Sequence, residues 1–192
     1  MDSEEFESVL GAAAAGAPWA WNHLYYLLSP KVLGFLRSRG AAEPEDLLGE
    51  VWLQVARGLS TFTGDYEGFR SWVFMIAHNR VIDERRKRGR RPRIQDNART
   101  ELIESRMVEG DDEMPTTELE QLMTVLDDLP ELQQSVVLLR VIADLSVQQT
   151  ADVLGITQSA VKTAQYRAVQ KLRKKFAAGA TDHDQRAVTE LI

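Results

Sequence analysis

The stretch from Leu145 to Lys175, LSVQQTADVLGITQSAVKTAQYRAVQKLRKK, constrains its own folding more tightly than any other part of the chain. Ser146 followed by Gln149 is a capping box, in which each side chain satisfies a backbone N–H left free at a helix start. Gly155 supplies the left-handed residue that ends this helix. Thr157 caps the next one, with Ile156 and Val161 spaced to close a hydrophobic staple across its first turn. Val161, Ala164, Ala168 and Leu172 then recur at helical spacing as an inward stripe. The opposite face offers Gln158, Ser159, Lys162, Thr163, Tyr166 and Arg167, with Lys171 further along and no acidic residue between Asp152 and Asp182. The pattern predicts a helix-turn-helix whose second helix carries donors at its front and cations on its flank, as reading the DNA major groove requires. A helical hairpin with a solvated basic face fits the same residues.

The rest of the chain narrows the function classes. Its 192 residues suit one ordinary domain or two small ones, and 44% hydrophobic residues support a real core. Cysteine is absent, which excludes disulfides, thiolate catalysis and thiolate metal sites. His23, His78 and His183 show no metal-ligand spacing, and no glycine-rich phosphate loop or nucleophile elbow is present. The sequence therefore predicts a protein that is not an enzyme and needs no cofactor or metal. Asp2, Glu4, Glu5 and Glu7 have the wrong charge for a secretory signal, and no apolar run is long enough to span a bilayer. Cytoplasmic location without membrane insertion is the expectation.

A net charge of −6 looks unsuited to nucleic acid, but the charges are segregated. Arg80, Arg85, Arg86, Lys87, Arg88, Arg90, Arg91 and Arg93 form one basic block, and Lys162, Arg167, Lys171, Arg173, Lys174 and Lys175 form another. Asp96, Glu101, Glu104, Glu109, Asp111, Asp112 and Glu113 lie between them. Two basic poles around an acidic centre predict two separate phosphate contacts, and the acidic parts weaken indiscriminate DNA binding. Pro92, Gly110 and Pro115 mark residues 92–117 as an acidic flexible linker, in which a short helix over 102–108 is an option. The expected fold is all-α, with two small helical domains at 1–91 and 118–176, the second containing the helix-turn-helix, and a tail at 177–192.

In the front domain, Trp21, Leu24, Tyr25 and Leu28 mark a helix that Ser29-Pro30 either breaks or restarts. Pro44 opens another, with Leu47, Leu48, Val51, Trp52 and Val55 inside and Asp46, Gly49, Glu50 and Gln54 outside. After a loop from Leu59 to Gly68 comes a long helix with Phe69, Trp72, Val73, Ile76 and Ala77 on one side. Ser71, Met75, His78, Asn79, Ile82 and Arg86 lie on the other.

PEDLLGEVWLQVARGLSTF followed by FRSWVFMIAHNRVIDERRKRGRRP resembles the promoter-melting domain of bacterial RNA polymerase sigma factors. LDDLPELQQSVVLLRVIADLSVQQTADVLGITQSAVKTAQYRAVQKLRK resembles their carboxy-terminal DNA-binding domain. Two domains in this order are the layout of the extracytoplasmic-function (ECF) sigma factors, of the sigma-70 family, and the resemblance runs from about Trp19 to Phe176. It implies an alternative sigma factor that binds RNA polymerase core, both β and β′ subunits, and directs transcription initiation at particular promoters. The helix matching Pro44–Arg57 then docks on β′ through Asp46, Leu47, Glu50, Val51 and Gln54, although Leu47 and Val51 also fit plain core. Gly49 stands where the family usually has glutamine.

By the same resemblance, Thr61, Phe62, Thr63, Gly64 and Asp65 form a pocket for a base of the −10 element, and Asn79 hydrogen-bonds a base edge. His78, Arg80, Arg85, Arg86 and Arg88 complete that set, the arginines on phosphates, which position a strand without specifying its sequence. Gln158, Ser159, Lys162, Thr163, Tyr166, Arg167 and Lys171 read the −35 element. Promoter DNA is the expected partner, located with the polymerase at the nucleoid, and an anti-sigma factor is a further candidate. A polymerase-independent helix-turn-helix repressor is the alternative, but it has no use for the Asp46/Glu50 helix, the loop and Asn79. About 25 linker residues span roughly 25–30 Å as a relaxed coil. Promoter elements two helical turns apart are separated by ~70 Å, which the linker reaches only when drawn out at ~3.3 Å per residue.

Overall fold

A computed structural model describes residues 3–90, 126 and 128–179. The linker assigned to 92–117 with its short helix, the first residues of the second domain and tail residues 180–192 lie outside these. Among the described residues every regular element is helical.

The first unit comprises α1 (Ser3–Ala14), α2 (Pro18–Ser38), α3 (Pro44–Gly58), a 3-10 turn (Leu59–Thr61) and α4 (Tyr66–Arg90). α1 was not expected from the sequence. Phe6, Val9 and Ala13 recur at helical spacing and are all buried, and Phe6 meets the rings of Tyr66 and Phe69 at 5.8 and 5.6 Å. α2 opens with Pro18, whose fixed φ suits a first helical turn. It then runs through Pro30 without a break. Tyr26, whose carbonyl loses its helical partner there, is itself 74% exposed, so water can replace the bond. Leu24, Leu28, Val32, Phe35 and Leu36 bury the inner face. α3 likewise starts on a proline, with Glu45 and Asp46 at the end where the helix dipole favours negative charge. Leu47, Leu48, Val51, Trp52 and Val55 are buried as expected.

The second unit comprises α5 (Glu131–Val141), α6 (Val147–Leu154) and α7 (Gln158–Gly179). The capping box is present in both directions. Ser146 Oγ accepts from the Gln149 N–H at 3.1 Å, and Gln149 Oε1 accepts from the Ser146 N–H at 2.8 Å. Gly155 ends α6 at φ 64°, and Thr157 Oγ1 accepts from the Ala160 N–H at 3.2 Å. Ile156 packs against a small core of Val136, Ala151, Val161 and Ala164, which closes the staple.

The two units are not separate bodies. Leu138, Leu139, Ala143 and Leu145 belong to one hydrophobic cluster with Phe35, Leu36, Val73 and Phe74. α6 packs on α4, and α5 on α2. This contact corrects the expected two-sided division of α4. Phe69, Val73, Ile76 and Ala77 are buried as predicted, but Arg70, Ser71, Phe74, His78 and Val81 are buried too. Ser71 and His78 were read as outward residues; helices that follow them in sequence by more than fifty residues cover them.

Candidate nucleic-acid interface

The inward stripe of α7 is buried at all of its positions: Val161, Ala164, Ala168 and Leu172. This turns Gln158, Ser159, Lys162, Thr163, Tyr166, Arg167 and Lys171 to solvent, with Tyr166 66% exposed. Lys162, Arg167 and Lys171 make no ion pair with a described residue. Gln158 is held by Gln148 of α6, so the front of the recognition helix is braced by the helix before it. Behind Gln158, the donors at 162, 163, 166, 167 and 171 have no partner among the described residues and can hydrogen-bond base edges or phosphates without first breaking a bond.

The loop between the 3-10 turn and α4 is fixed at both ends. Thr61 Oγ1 donates to the Gly58 carbonyl at 2.9 Å, and Asp65 Oδ1 accepts from the Gly68 N–H at 2.8 Å, capping α4. Phe62 pins its middle. Its ring stacks on Trp72 at 5.2 Å and meets Phe69 edge-on at 5.5 Å. Gly64 has φ 150°, and a Cβ there would come within 3.2 Å of the Phe62 ring, so the turn needs glycine twice over. Thr61, Thr63, Gly64 and Asp65 face solvent while Phe62 points inward. Trp72 closes against Gly58, where an added Cβ would lie 2.7 Å from the indole.

Arg80, Arg85 and Arg88 of α4 are engaged, while Lys87 is exposed. Arg80 donates to Gln54 Oε1 at 2.8 and 3.1 Å and pairs with Glu50 at 3.2 Å, tying α4 to α3. Arg85 pairs with Glu131 and donates to the Arg39 carbonyl. Arg88 pairs with Glu84 at 2.9 Å and donates to the Gly40 carbonyl at 3.0 Å. Arg86 is 70% exposed, with Asp83 at 3.7 Å, and Asn79 is exposed beside it. Gln54, Asn79, Arg80, Ile82, Asp83 and Arg86 line a groove of about 440 Å³. His78 lies inside, next to the groove residues in sequence but behind them in space. Burial holds its pKa down, to about 4, with the Arg39 charge adding to the shift and Glu131 opposing it.

On α3, Asp46, Gly49, Glu50 and Gln54 are exposed, whereas Leu47 and Val51 are core. Sequence reasoning missed Leu53, 60% exposed on the same stripe; its spacing from Asp46, Gly49 and Glu50 was the available signal. It also missed Arg39 and Arg70, charged residues buried between the units. No group of three or more His, Asp or Glu side chains among the described residues is arranged to hold a metal ion, and no helix among them is long and apolar enough to cross a membrane.

Family models for Sigma-70 region 2 and for Sigma-70, region 4 match residues 19–91 and 119–172. The chain is 30% identical over 185 residues to the ECF RNA polymerase sigma factor ShbA of Streptomyces griseus subsp. griseus, covering 86% of this chain and 94% of that protein. It is 33% identical over 178 residues to the ECF RNA polymerase sigma factor BldN of Streptomyces coelicolor, covering 90% and 66%. Among solved structures, CnrH, determined in complex with the cytosolic domain of CnrY, shares the fold with a TM-score of 0.66 at 22% identity, covering 91% of this chain and 99% of that one. The chain belongs to the ECF sigma factors of bacterial RNA polymerase. It is an alternative sigma factor, a regulatory subunit that directs promoter-specific transcription.

Proposed function

We propose that this sigma factor reads the −35 element with the outer face of α7 and opens and holds the −10 element with the Thr61–Asp65 loop and α4. Core polymerase binds the exposed stripe of α3: Asp46, Glu50 and Gln54, with Leu53 as its apolar centre. Leu47 and Val51 hold that stripe in place from inside. The observation that carries this reading is the α7 face, seven outward polar or cationic positions on a helix whose opposite stripe, Val161, Ala164, Ala168 and Leu172, is buried. At the −10 element, opening duplex costs on the order of 1.4 kcal/mol per stacked step. Capture of an extruded base must offset that, and stacking supplies roughly 1–3 kcal/mol per base. Thr61, Thr63 and Asp65 line the exposed rim of the loop and Asn79 stands on the adjoining helix, which supports a base pocket there.

The domain division at 1–91, 92–117, 118–176 and 177–192 belongs to this proposal, with the linker drawn out along the polymerase. So does an anti-sigma partner. CnrH was solved with the cytosolic domain of CnrY, and RpoE of Bartonella quintana, of the same fold at a TM-score of 0.61, with the anti-sigma factor NepR. The test is reconstitution: the chain plus core polymerase on genomic DNA, with transcript starts mapped and −10 thymines probed by permanganate. Defined starts sharing two upstream elements, and thymines that react only when both proteins are present, are expected. Tight sequence-specific binding by the chain alone, without transcripts, would make it a repressor.

A further inference from the structure

One arginine joins α3 and α4 at the wall of the groove. Glu50 and Gln54 stand one helical turn apart on the outer stripe of α3, and Arg80 reaches both from α4. Its Nε–H and an Nη2–H both donate to Gln54 Oε1, at 3.1 and 2.8 Å. An Nη1–H donates to Glu50 Oε2 at 3.2 Å. Three of the five N–H groups of an arginine are thus used, which leaves two for an incoming acceptor. Arg80 keeps 30% of its side-chain surface in water, on the groove that Asn79, Asp83 and Arg86 also line. Those three recur at i, i+4 and i+7 along α4, so they share one edge of it.

We infer that Gln54 is a positioning residue for the −10 contact: it fixes the Arg80 guanidinium on the groove wall for a strand phosphate without cancelling its charge. The inference rests on the proposed promoter reading, in which Arg80 holds such a phosphate. Arginine is among the side chains that lose most conformational entropy when they are immobilised. Freezing one of them on binding costs about two- to tenfold in affinity. Arg80 is immobilised before any DNA arrives, by two hydrogen bonds to the neutral Gln54 amide and one to Glu50.

Glutamine suits this task better than a carboxylate. A second acid one turn from Glu50 would accept the same bonds, but the two charges together would repel the phosphate that Arg80 is to hold. Arg86 shows the other arrangement on the same groove. It is 70% exposed, with Asp83 at 3.7 Å, so it loses its freedom only when a strand binds. Gln54 also stands on the α3 stripe proposed for core polymerase, so its effect on DNA has to be read apart from its effect on core.

The test is a double-mutant cycle of Gln54→Ala and Arg80→Ala, each variant assembled into holoenzyme at saturating core polymerase. The probe is a labelled single-stranded oligonucleotide with the non-template −10 sequence of a start mapped in the reconstitution, titrated over a salt series. Gln54→Ala alone should weaken binding about two- to tenfold, at an unchanged salt slope because the cation is still present. Arg80→Ala should weaken it further and flatten the slope by ~0.7, the share of one single-strand phosphate. In the Arg80→Ala background, Gln54→Ala should cost nothing more, since its effect passes through the arginine. Equal losses in both backgrounds would overturn the inference, because Gln54 would then meet the strand itself. So would a Gln54→Ala holoenzyme that binds as the parent does, which would leave the Arg80 bonds a strut between α3 and α4. An Arg80→Ala holoenzyme that matches the parent in affinity and slope would contradict the promoter reading at this groove, and the inference would fall with it.

Discussion

α7 and α4 carry similar cationic residues and present them in opposite ways. On α7 the cations at 162, 167 and 171 stand free on a solvent face backed by four buried apolar residues. On α4 those at 80, 85 and 88 are bonded to α3, to the end of α2 and to α5, and His78 is inside. The difference follows from neighbours rather than composition. α7 packs on α5 and α6 with one face only, whereas α4 is covered by α2 and α3 on one side and by α6 on another. A basic run in a sequence thus presents free donors only where nothing else in the chain has claimed them.

The largest effect that tests this contrast is on promoter discrimination. Arg167→Ala or Lys162→Ala removes a free donor, and the loss of a base contact costs roughly 1–3 kcal/mol, about a five- to 150-fold fall in transcription at −35-dependent promoters. Core binding, measured by co-elution, stays normal. Arg80→Ala should instead lower thermal stability as well as promoter activity, because Gln54 and Glu50 lose their partner. Equal and purely functional losses at both positions would erase the contrast.

The aromatic support of the loop gives the next largest change. Gly58→Ala places a methyl 2.7 Å from the Trp72 indole, which must move and disturb its stack with Phe62. Overpacking of this kind costs about 1–3 kcal/mol. A lower urea midpoint is expected, with indole fluorescence shifted toward that of solvent-exposed tryptophan; an unchanged midpoint would mean the ring does not rest on Gly58.

A pH effect separates the covered face from the free one. The unfolded His78 imidazole takes up a proton near pH 6.5, while the folded one, facing Arg39, Arg85 and the opposing Glu131, does not until about 4. The unfolded state therefore binds more protons in this window. Stability is complete above pH ~7, falls as pH drops through 6.5 and has lost ~2 kcal/mol from this group by pH 5. Urea midpoints at pH 7 and pH 5 should converge in His78→Gln relative to the parent; the same pH dependence in both would place His78 in water.

Gly49→Ala is the smallest change and the one with an opposite sign. Nothing lies within 4 Å of a Cβ at that position, in the middle of α3 and on its solvent side. Replacing an interior helical glycine gains roughly 0.8–1 kcal/mol, or ~2–4 °C for a chain of this length. Retained core affinity would make this glycine a tolerated loss of a polar contact. Lost affinity would show that it lets the partner's helix approach.

Local chemistry explains what the sequence disclosed. The α6–α7 hairpin was legible down to its caps, because Ser146, Gln149, Gly155 and Thr157 act on backbone groups within three or four residues. α3 and its outer stripe were legible from a clean apolar period. α1 was not, since its alanines and acids hid the Phe6, Val9 and Ala13 spacing. Ser29-Pro30 left open a choice that only the packing of Leu28 and Val32 on one continuous face decides. The burial of Arg39, Arg70 and His78 had no local signal at all. Their partners Gln134 and Asp144 stand 95 and 74 residues away from Arg39 and Arg70, and no periodicity in α4 reports a helix that arrives from another unit.

Arginine modification by a dicarbonyl reagent, read by mass spectrometry, tests the central contrast most directly, in the free chain and in the complex with core polymerase and promoter DNA. In the free chain Arg167 should react readily while Arg39 and Arg85 are protected. In the complex Arg167 should become protected by DNA. Arg85 and Arg39 reacting as fast as Arg167 in the free chain, or Arg167 reacting equally with and without promoter, would contradict the account.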